Sequence, residues 1–391
     1  MGAKEIVTGV HWVGSLDPSR KYFDELIPLP HGTTYNSYLI RGSKKVALID
    51  GVDPSKTDIL FKNLDEIGIK TLDFIVSQHA EQDHSGAIPA LLEKFPMAKV
   101  VTHSMAKTML QDLLNIPDEK IQLIKNGDEL SLGNKTLKFI LTPWVHWPET
   151  MFTLLKEDNI LFTCDLYGSH LATENIISKN DKIIEDEAKR YYAEIMMPFV
   201  PFVKKHTTMV RELKPKIIAT SHGPVYKNPE FILDLYEEWT SGKMKKKVLI
   251  AWVSMHESTK KMAAYLENAL KERGIEVISH NMTGIDSGVL AMDLIDSASL
   301  VLASPVFLGA PHPNAINVAV LINLLKPKTK FLAVIGSFGW AGKLAENFSE
   351  LLPNLKAERL EPVMVKGVPK EIDFERLDKL AEIIVEKHSE L

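Results

Sequence analysis

The chain has 391 residues, 45% of them hydrophobic and 25% charged, and 46 basic against 51 acidic side chains leave a formal net charge of -5. At about 150 residues per domain this predicts two units, and interspersed charge of both signs makes nucleic acid an unexpected partner. No run reaches the roughly 18 to 20 apolar residues of a membrane span and the opening MGAKEIVTGV lacks a signal-peptide core, so no membrane association and a cytoplasmic location are expected.

Up to about Lys243, strand-like runs succeed one another. TTYNSYLIRG and KKVALIDGV read as strands of an antiparallel hairpin, and SKTDILFKNLDEIG as the helix after them. The apolar run LDFIVSQ reads as a buried strand and leads directly into HAEQDH, which places His79, Glu81, Asp83 and His84 at its carboxyl end. SGAIPALLEKF is the next helix. TLKFILTP leads to His146, the pair TMFTLLKED and NILFTCD to Asp165, and KPKIIATS to His222. This half reads as α+β, sheets covered by helices on their outer faces.

Two imidazoles and two carboxylates packed at one strand end are costly to bury without a cation. Taken singly, His146, Asp165 or His222 has a bland reading as a cap, a turn residue or a chance histidine. Together the seven donors are too many for one tetrahedral ion and suit two ions that share a carboxylate. The one cysteine, Cys164, excludes a resident cluster held by four thiolates, so such an electron carrier would be another protein.

SGKMKKK reads as a short solvated hinge. From Lys247 onward, five apolar runs, VLIAWVS, EVISHNM, LVLASPVF, FLAVIGSFG and PVMVKGV, alternate with five amphipathic helices, the first near Thr259 to Arg273 and stopped by Gly274. That alternation predicts an α/β doubly wound five-stranded parallel sheet with its ligand beyond the carboxyl ends of the strands.

The motifs HAEQDH, WVHWPETM, LFTCDLYGSH and ATSHGPVY together resemble the ligand set of the flavodiiron proteins. The resemblance implies a metallo-β-lactamase-like αββα sandwich over residues 1–243 and a flavodoxin-like FMN-binding domain over 247–391. It assigns His79, Glu81 and His146 to one iron, Asp83, His84 and His222 to the other, and Asp165 to both. It places His31 and Tyr192 near the open face, whereas His170 reads as a packing imidazole. In the second half it implies Ser254, Met255, His256, Ser258 and Thr259 around the FMN phosphate. Ser304, Pro305, Phe307, Leu308 and Gly309, with Ser337, Phe338, Gly339, Trp340 and Gly342 of GSFGWAGK, would border the ring. Glu257 stands where the family usually carries Gly, and a carboxylate facing a phosphate would repel it.

The same resemblance implies a reductase of O2 to water or of NO to N2O, fed through FMN by a rubredoxin-like or other external donor. A head-to-tail homodimer, or a tetramer built from it, goes with that family. The competing readings are a dinuclear zinc hydrolase with an accessory second half, and an electron carrier or redox sensor with structural metals. Glu81, a hard anionic donor where the hydrolytic relatives usually carry His, and the GSFGWAGK loop favour the reductase.

Overall fold

The computed structural model describes residues 1–340 and 342–391, so Ala341 of the GSFGWAGK loop lies outside the described residues. The chain divides into two compact units, Met1–Thr240 and Ser241–Leu391.

The first unit is built on two sheets. One has the order β1 (Lys4–Val7), β2 (Val10–Trp12), β3 (Tyr38–Arg41), β4 (Val46–Ile49), β5 (Phe74–Val76), β6 (Lys99–Thr102) and β7 (Ile121–Leu123). Its first four strands pair antiparallel and the rest parallel. The other runs β8 (Glu129–Ser131), β9 (Thr136–Leu141), β10 (Met151–Leu155), β11 (Ile160–Phe162) and β12 (Ile217–Ala219).

The alternation of a pleated strand divides the apolar residues between two layers. Tyr38, Ile40, Ala47, Ile49 and Val76 meet Leu137, Phe139, Met151, Phe162 and Ala219 of the second sheet. Their neighbours Leu39, Leu48 and Ile75 point the other way, onto Leu60 and Leu64 of α1 (Thr57–Glu66), Leu91 of α2 (Ile88–Lys94) and Leu110 of α3 (Ser104–Leu114). Each such side chain contributes about 1.5–3 kcal/mol by leaving water, which is why the sandwich is held in this register. Behind the second sheet come α4 (Lys182–Tyr191), α5 (Val200–Leu213) and α6 (Pro229–Thr240), the last burying Ile232, Leu233 and Tyr236.

The run TTYNSYLIRG is not one strand. Thr33–Tyr35 pairs antiparallel with Ser15–Asp17, and β3 begins only at Tyr38. Asn36 makes the break: its Nδ2 donates to the carbonyls of Thr220 (2.8 Å) and Gly223 (2.7 Å), and its Oδ1 accepts from Trp12 Nε1 (2.7 Å). These bonds tie the segment to the loop after β12, and a continuous ladder would forfeit them.

Strand direction positions the site. β9 and β11 are each antiparallel to β10, and β12 is parallel to β11, so β9, β11 and β12 all point the same way. Their carboxyl ends share one sheet edge, where loops rather than ladders take over.

In the second unit five helices alternate with parallel strands: β13 (Lys245–Trp252), α7 (Ser258–Glu272), β14 (Glu276–Asn281), α8 (Ser287–Leu294), β15 (Ser297–Phe307), α9 (Pro313–Leu325), β16 (Phe331–Phe338), α10 (Leu344–Leu351), β17 (Glu358–Arg359), β18 (Val363–Lys366) and α11 (Glu371–Ser389). The order is β14-β13-β15-β16, with β17 and β18 both parallel to β16, the doubly wound arrangement that the alternation predicts. Gly274, at φ +77°, ends the first helix as expected.

The lysines of SGKMKKK are not all solvated. Lys247 is 4% exposed inside β13 and pairs with Asp296, and Lys245 reaches the same carboxylate at 2.7 Å. An aspartate on the neighbouring segment makes a buried lysine tolerable, so the strand starts at Lys245, three residues before the apolar run that begins at Val248.

Candidate metal centre and flavin pocket

Three loops and one short helical turn bring the seven donors together. The turn Gln82–Ser85 comes after β5 and carries Asp83 and His84, while His79 and Glu81 precede it. His146 lies beyond β9, Asp165 beyond β11 and His222 beyond β12. Among the described residues, His79, Glu81, His146 and Asp165 form one cluster of potential ligand atoms and Asp83, His84 and His222 another.

Asp165 stands between them with one oxygen to each side. Its Oδ2 is 3.4 Å from the Nε2 atoms of both His79 and His146. Its Oδ1 is 3.2 Å from His84 Nε2 and 3.4 Å from His222 Nε2. Glu81 Oε2 completes the first side, 3.0 Å from His79 and 3.2 Å from His146. Asp83 completes the second, with Oδ1 at 3.1 Å from His84 and Oδ2 at 3.2 Å from His222.

Two donors bound to one ion at about 2.1 Å, and about 90–110° apart, lie about 3.0–3.4 Å from each other. Among the described residues, both oxygens of Asp83 and of Asp165 are buried without a hydrogen-bond partner. Such atoms need a cation, and three carboxylates among neutral imidazoles suit two divalent ions in donor type and offset three of their four positive charges. The residues fit a carboxylate-bridged metal pair.

The same field is visible in the imidazoles. Burial opposes charge on His146 and His222, but the Asp165 carboxylate, helped by Glu81 or Asp83, raises them to about 9 and about 10. Metal ions and protons compete for these nitrogens.

The far sides of the ligands are anchored. Glu149, fully buried, accepts from His79 Nδ1 (2.6 Å) and from the Ala80 N–H (2.9 Å) through one oxygen. The Thr34 carbonyl accepts from His222 Nδ1 at 2.6 Å. Asp50 takes both the backbone N–H and the Nε2 of Gln78, fixing the approach to His79. These bonds set which ring nitrogen faces inward. Glu149 was not among the residues expected from sequence, although it sits in the WVHWPETM run, because a carboxylate behind a ligand has no spacing rule.

Neither of the two expected neighbours of the open face is among the residues that line the cleft reaching Glu81 and Asp83. His31 is half-exposed, with Nε2 3.7 Å from Glu187. Tyr192 is buried against Tyr236 and Trp239 and donates to the Trp239 carbonyl (3.2 Å). It is Tyr191 that packs on His222 and His170, at ring separations of 5.9 and 4.9 Å. Consecutive helical positions point about 100° apart, so one of the two tyrosines faces the ligands and the other the helices. An open cleft of about 280 Å3 reaches Glu81 and Asp83 and is walled by Phe23, Asp24, Tyr35 and Trp147. Burial, with Glu81 and Asp83 nearby, raises the Asp24 carboxyl above its ordinary range.

At the carboxyl ends of the second unit's strands lies a cavity of about 300 Å3, lined by Ser254, Met255, His256, Ser258, Pro305, Val306, Ser337, Phe338, Gly339, Gly367 and Val368. Ser254 Oγ is buried without a partner among the described residues, and the adjacent α7 begins with its N–H groups unpaired within the helix, so the loop suits a phosphate. Glu257 occupies a left-handed position (φ +65°), the conformation that explains a family preference for Gly there, and its carboxylate pairs with Lys260 at 2.9 Å. Thr259 and Ser304 are buried beside the cavity, Thr259 Oγ1 at 3.0 Å from Ser337 Oγ and Ser304 Oγ donating to the Pro305 carbonyl. Phe307, Leu308, Gly309, Trp340 and Gly342 fall outside its wall, with Leu308 82% and Trp340 76% exposed. A Cβ on Gly342 would strike Val306 at 2.4 Å. Gly367 and Val368 were not expected. They come directly after β18, whose carboxyl end shares the same edge as the others.

A two-unit chain with a bridged metal cluster in a metallo-β-lactamase-like sandwich and a flavodoxin-like second sheet defines a class of flavoproteins. The family model described as ODP family beta lactamase matches residues 33–223. The chain is 34% identical to the nitric oxide reductase of Moorella thermoacetica, covering 96% of each, and 33% identical to the coenzyme F420H2 oxidase of Methanothermobacter marburgensis, covering 90% of each. The solved rubredoxin oxygen:oxidoreductase of Desulfovibrio gigas superposes with a TM-score of 0.95 at 29% identity, over 99% of this chain and 98% of that one. The chain belongs to the flavodiiron proteins, also called type A flavoproteins.

Proposed function

We propose that this flavodiiron protein reduces O2 to water, NO to N2O, or both, with FMN and a carboxylate-bridged iron pair as its cofactors. The observation that carries the reading is the division of the two Asp165 oxygens between two sets of His and carboxylate donors. When bound, iron and FMN supply the electrons and open coordination that a diatomic substrate needs. Four electrons and four protons convert O2 to two waters; two electrons and two protons convert two NO to N2O and one water.

The chain's residues hold and shape that chemistry. His79, Glu81 and His146 are proposed to hold one iron, Asp83, His84 and His222 the other, and Asp165 both. Glu149 and the Thr34 carbonyl keep the inward nitrogens of His79 and His222 directed at the metals. Tyr191 is proposed in the place beside the ligands that sequence assigned to Tyr192. Residues 1–243 serve as the diiron domain and 247–391 as the FMN domain. There Ser254, His256, Ser258 and the start of α7 hold the phosphate, with Phe307, Leu308 and Trp340 as an apolar rim over the ring.

Electrons come from an external donor. A rubredoxin-like protein is proposed, supported by the single cysteine and by the name of the Desulfovibrio gigas relative. The F420H2 oxidase relative favours a second donor, a reduced deazaflavin. Assays with each, at equal concentration, separate the two. Among the described residues no helix is long and apolar enough to cross a membrane, and a cytoplasmic location is proposed with it. A head-to-tail dimer, or a tetramer of such dimers, is the proposed active form; a fully active monomer at low concentration contradicts it.

Anaerobic stopped-flow mixing of the reduced, iron-loaded protein with O2 or NO tests the function. Rapid flavin reoxidation is expected, and a reduced flavin spectrum that persists under both gases rejects the reading. Two zinc ions per chain with hydrolytic turnover would establish the hydrolase instead.

A further inference from the structure

His103 and His206 are buried, belong to neither ligand set and come from different parts of the first unit. Both reach the same loop. Residues 142–150 join β9 to β10 and carry His146 at their centre. His206 Nε2, from α5, lies 3.1 Å from the Pro143 carbonyl oxygen, and His103 Nε2, from the residue before α3, lies 2.6 Å from the Glu149 carbonyl oxygen. Pro143 and Glu149 stand three residues before and three after His146.

A carbonyl oxygen only accepts, so each Nε2 carries a proton and donates it. A neutral ring and a charged one donate alike from that nitrogen, and neither contact depends on titration. His103 is unusual for its place: it holds the N-cap position of α3, where Ser, Thr, Asp or Asn is preferred, yet its side chain makes no bond to its own helix. Its ring turns to the loop instead.

The loop runs outside any strand ladder. It is tied at its base, where the Thr142 N–H donates to the Thr150 carbonyl (3.0 Å) and Thr150 Oγ1 to the Thr142 carbonyl (2.6 Å), and across one turn from the Trp144 N–H to the Trp147 carbonyl (2.7 Å). Trp144 sits at φ +68°, a left-handed conformation that bulky residues seldom adopt. Such a loop needs holding from outside.

Both ends serve one side of the cluster. The Pro143 end leads to His146, and the Glu149 end carries the carboxylate that accepts from His79 Nδ1. Thr102, next to His103, adds a tie of its own, with Oγ1 donating to the Ser77 carbonyl (3.0 Å) two residues before His79. On the other side, His222 is anchored by the Thr34 carbonyl.

We propose that His103 and His206 are positioning residues for the metal on the His79, Glu81 and His146 side, acting as a clamp on the two ends of the His146 loop. They touch neither metal nor substrate. The inference rests on the diiron reading of the cluster.

Release of iron to a chelator tests the clamp in the iron-loaded holoprotein, with the FMN spectrum and the melting temperature recorded on each sample. His103→Phe and His206→Phe keep a ring and remove the donor; His103→Gln and His206→Gln put an amide N–H where Nε2 stood. Each Phe variant is expected to lose one of its two irons about tenfold faster than wild type and the other at the wild-type rate, and each Gln variant to recover most of that retention. A merely structural role would lower the melting temperature and speed the loss of both irons alike.

That equal acceleration overturns the proposal, as does unchanged release in either Phe variant or a Gln variant that loses iron as fast as its Phe counterpart. If one Phe variant does not fold, the other carries the same test, and failure of both to fold assigns the two histidines a structural role instead. Wild-type protein that retains no iron pair overturns the diiron reading itself, and this inference with it.

Discussion

At the scale of single residues, the cluster depends on groups that never meet a metal. Glu149 places an anion behind His79, and both bonds from its carboxylate oxygen are ones a glutamine carbonyl could also accept. Glu149→Gln therefore keeps the geometry and removes the charge. We expect the affinity of that side for its metal to fall about 10–100-fold, seen as faster loss to a chelator with an unchanged flavin spectrum. Equal retention would show that the carboxylate is only a spacer. The pairing of Tyr191 with His222 is a related case. The run RYYAEIMMPF offers two tyrosines, and only the helical phase decides which one faces the ligands.

At the scale of elements, strand ends and helix starts hold the functional groups, and buried charge is tolerated where an element needs it. Lys247 in β13 pairs with Asp296 in the interior. Lys247→Met leaves that aspartate with Lys245 at the surface, and we expect a loss of about 2 kcal/mol in chemical denaturation of the second unit. Replacing both Lys247 and Asp296 by apolar residues should cost less than the single change, which is the sign of a coupled pair. The start of α7 carries a second case. Because the Glu257 carboxylate pairs with Lys260 rather than facing the phosphate loop, Glu257→Gly should change FMN affinity by no more than about twofold in a flavin fluorescence titration. A tenfold gain would mean that the carboxylate does oppose the phosphate.

At the scale of the molecule, two compact units imply two responses to metal removal. In chelator-treated protein, His146 and His222 carry protons that balance the carboxylates, with values of about 9 and about 10 against 6.5 for an unperturbed imidazole. Groups raised on folding stabilise fully below pH 6.5 and lose that contribution as pH rises through their folded values. The metal-free first unit should therefore melt at progressively lower temperature from about pH 6.5 to about pH 10, and the metal-loaded form should not. Calorimetry with and without chelator checks this; a melting temperature that ignores both pH and metal would contradict it. The flavin-linked transition of the second unit should stay in place.

Sequence by itself determined the class of each layer and the set of donors. The doubly wound half shows in its alternation of apolar runs and amphipathic helices, because each element buries its own face. The seven donors show because each follows a strand within a few residues, and that spacing is local. What only the tertiary structure decided are relations between distant segments: which oxygen of Asp165 faces which side, Glu149 behind His79, Tyr191 rather than Tyr192 packed on His222, and Thr33 and Thr34 holding His170 and His222 from across the chain. Periodicity reports how one element meets the core, whereas a site is made by side chains converging from several, and their phase is settled only when the layers pack.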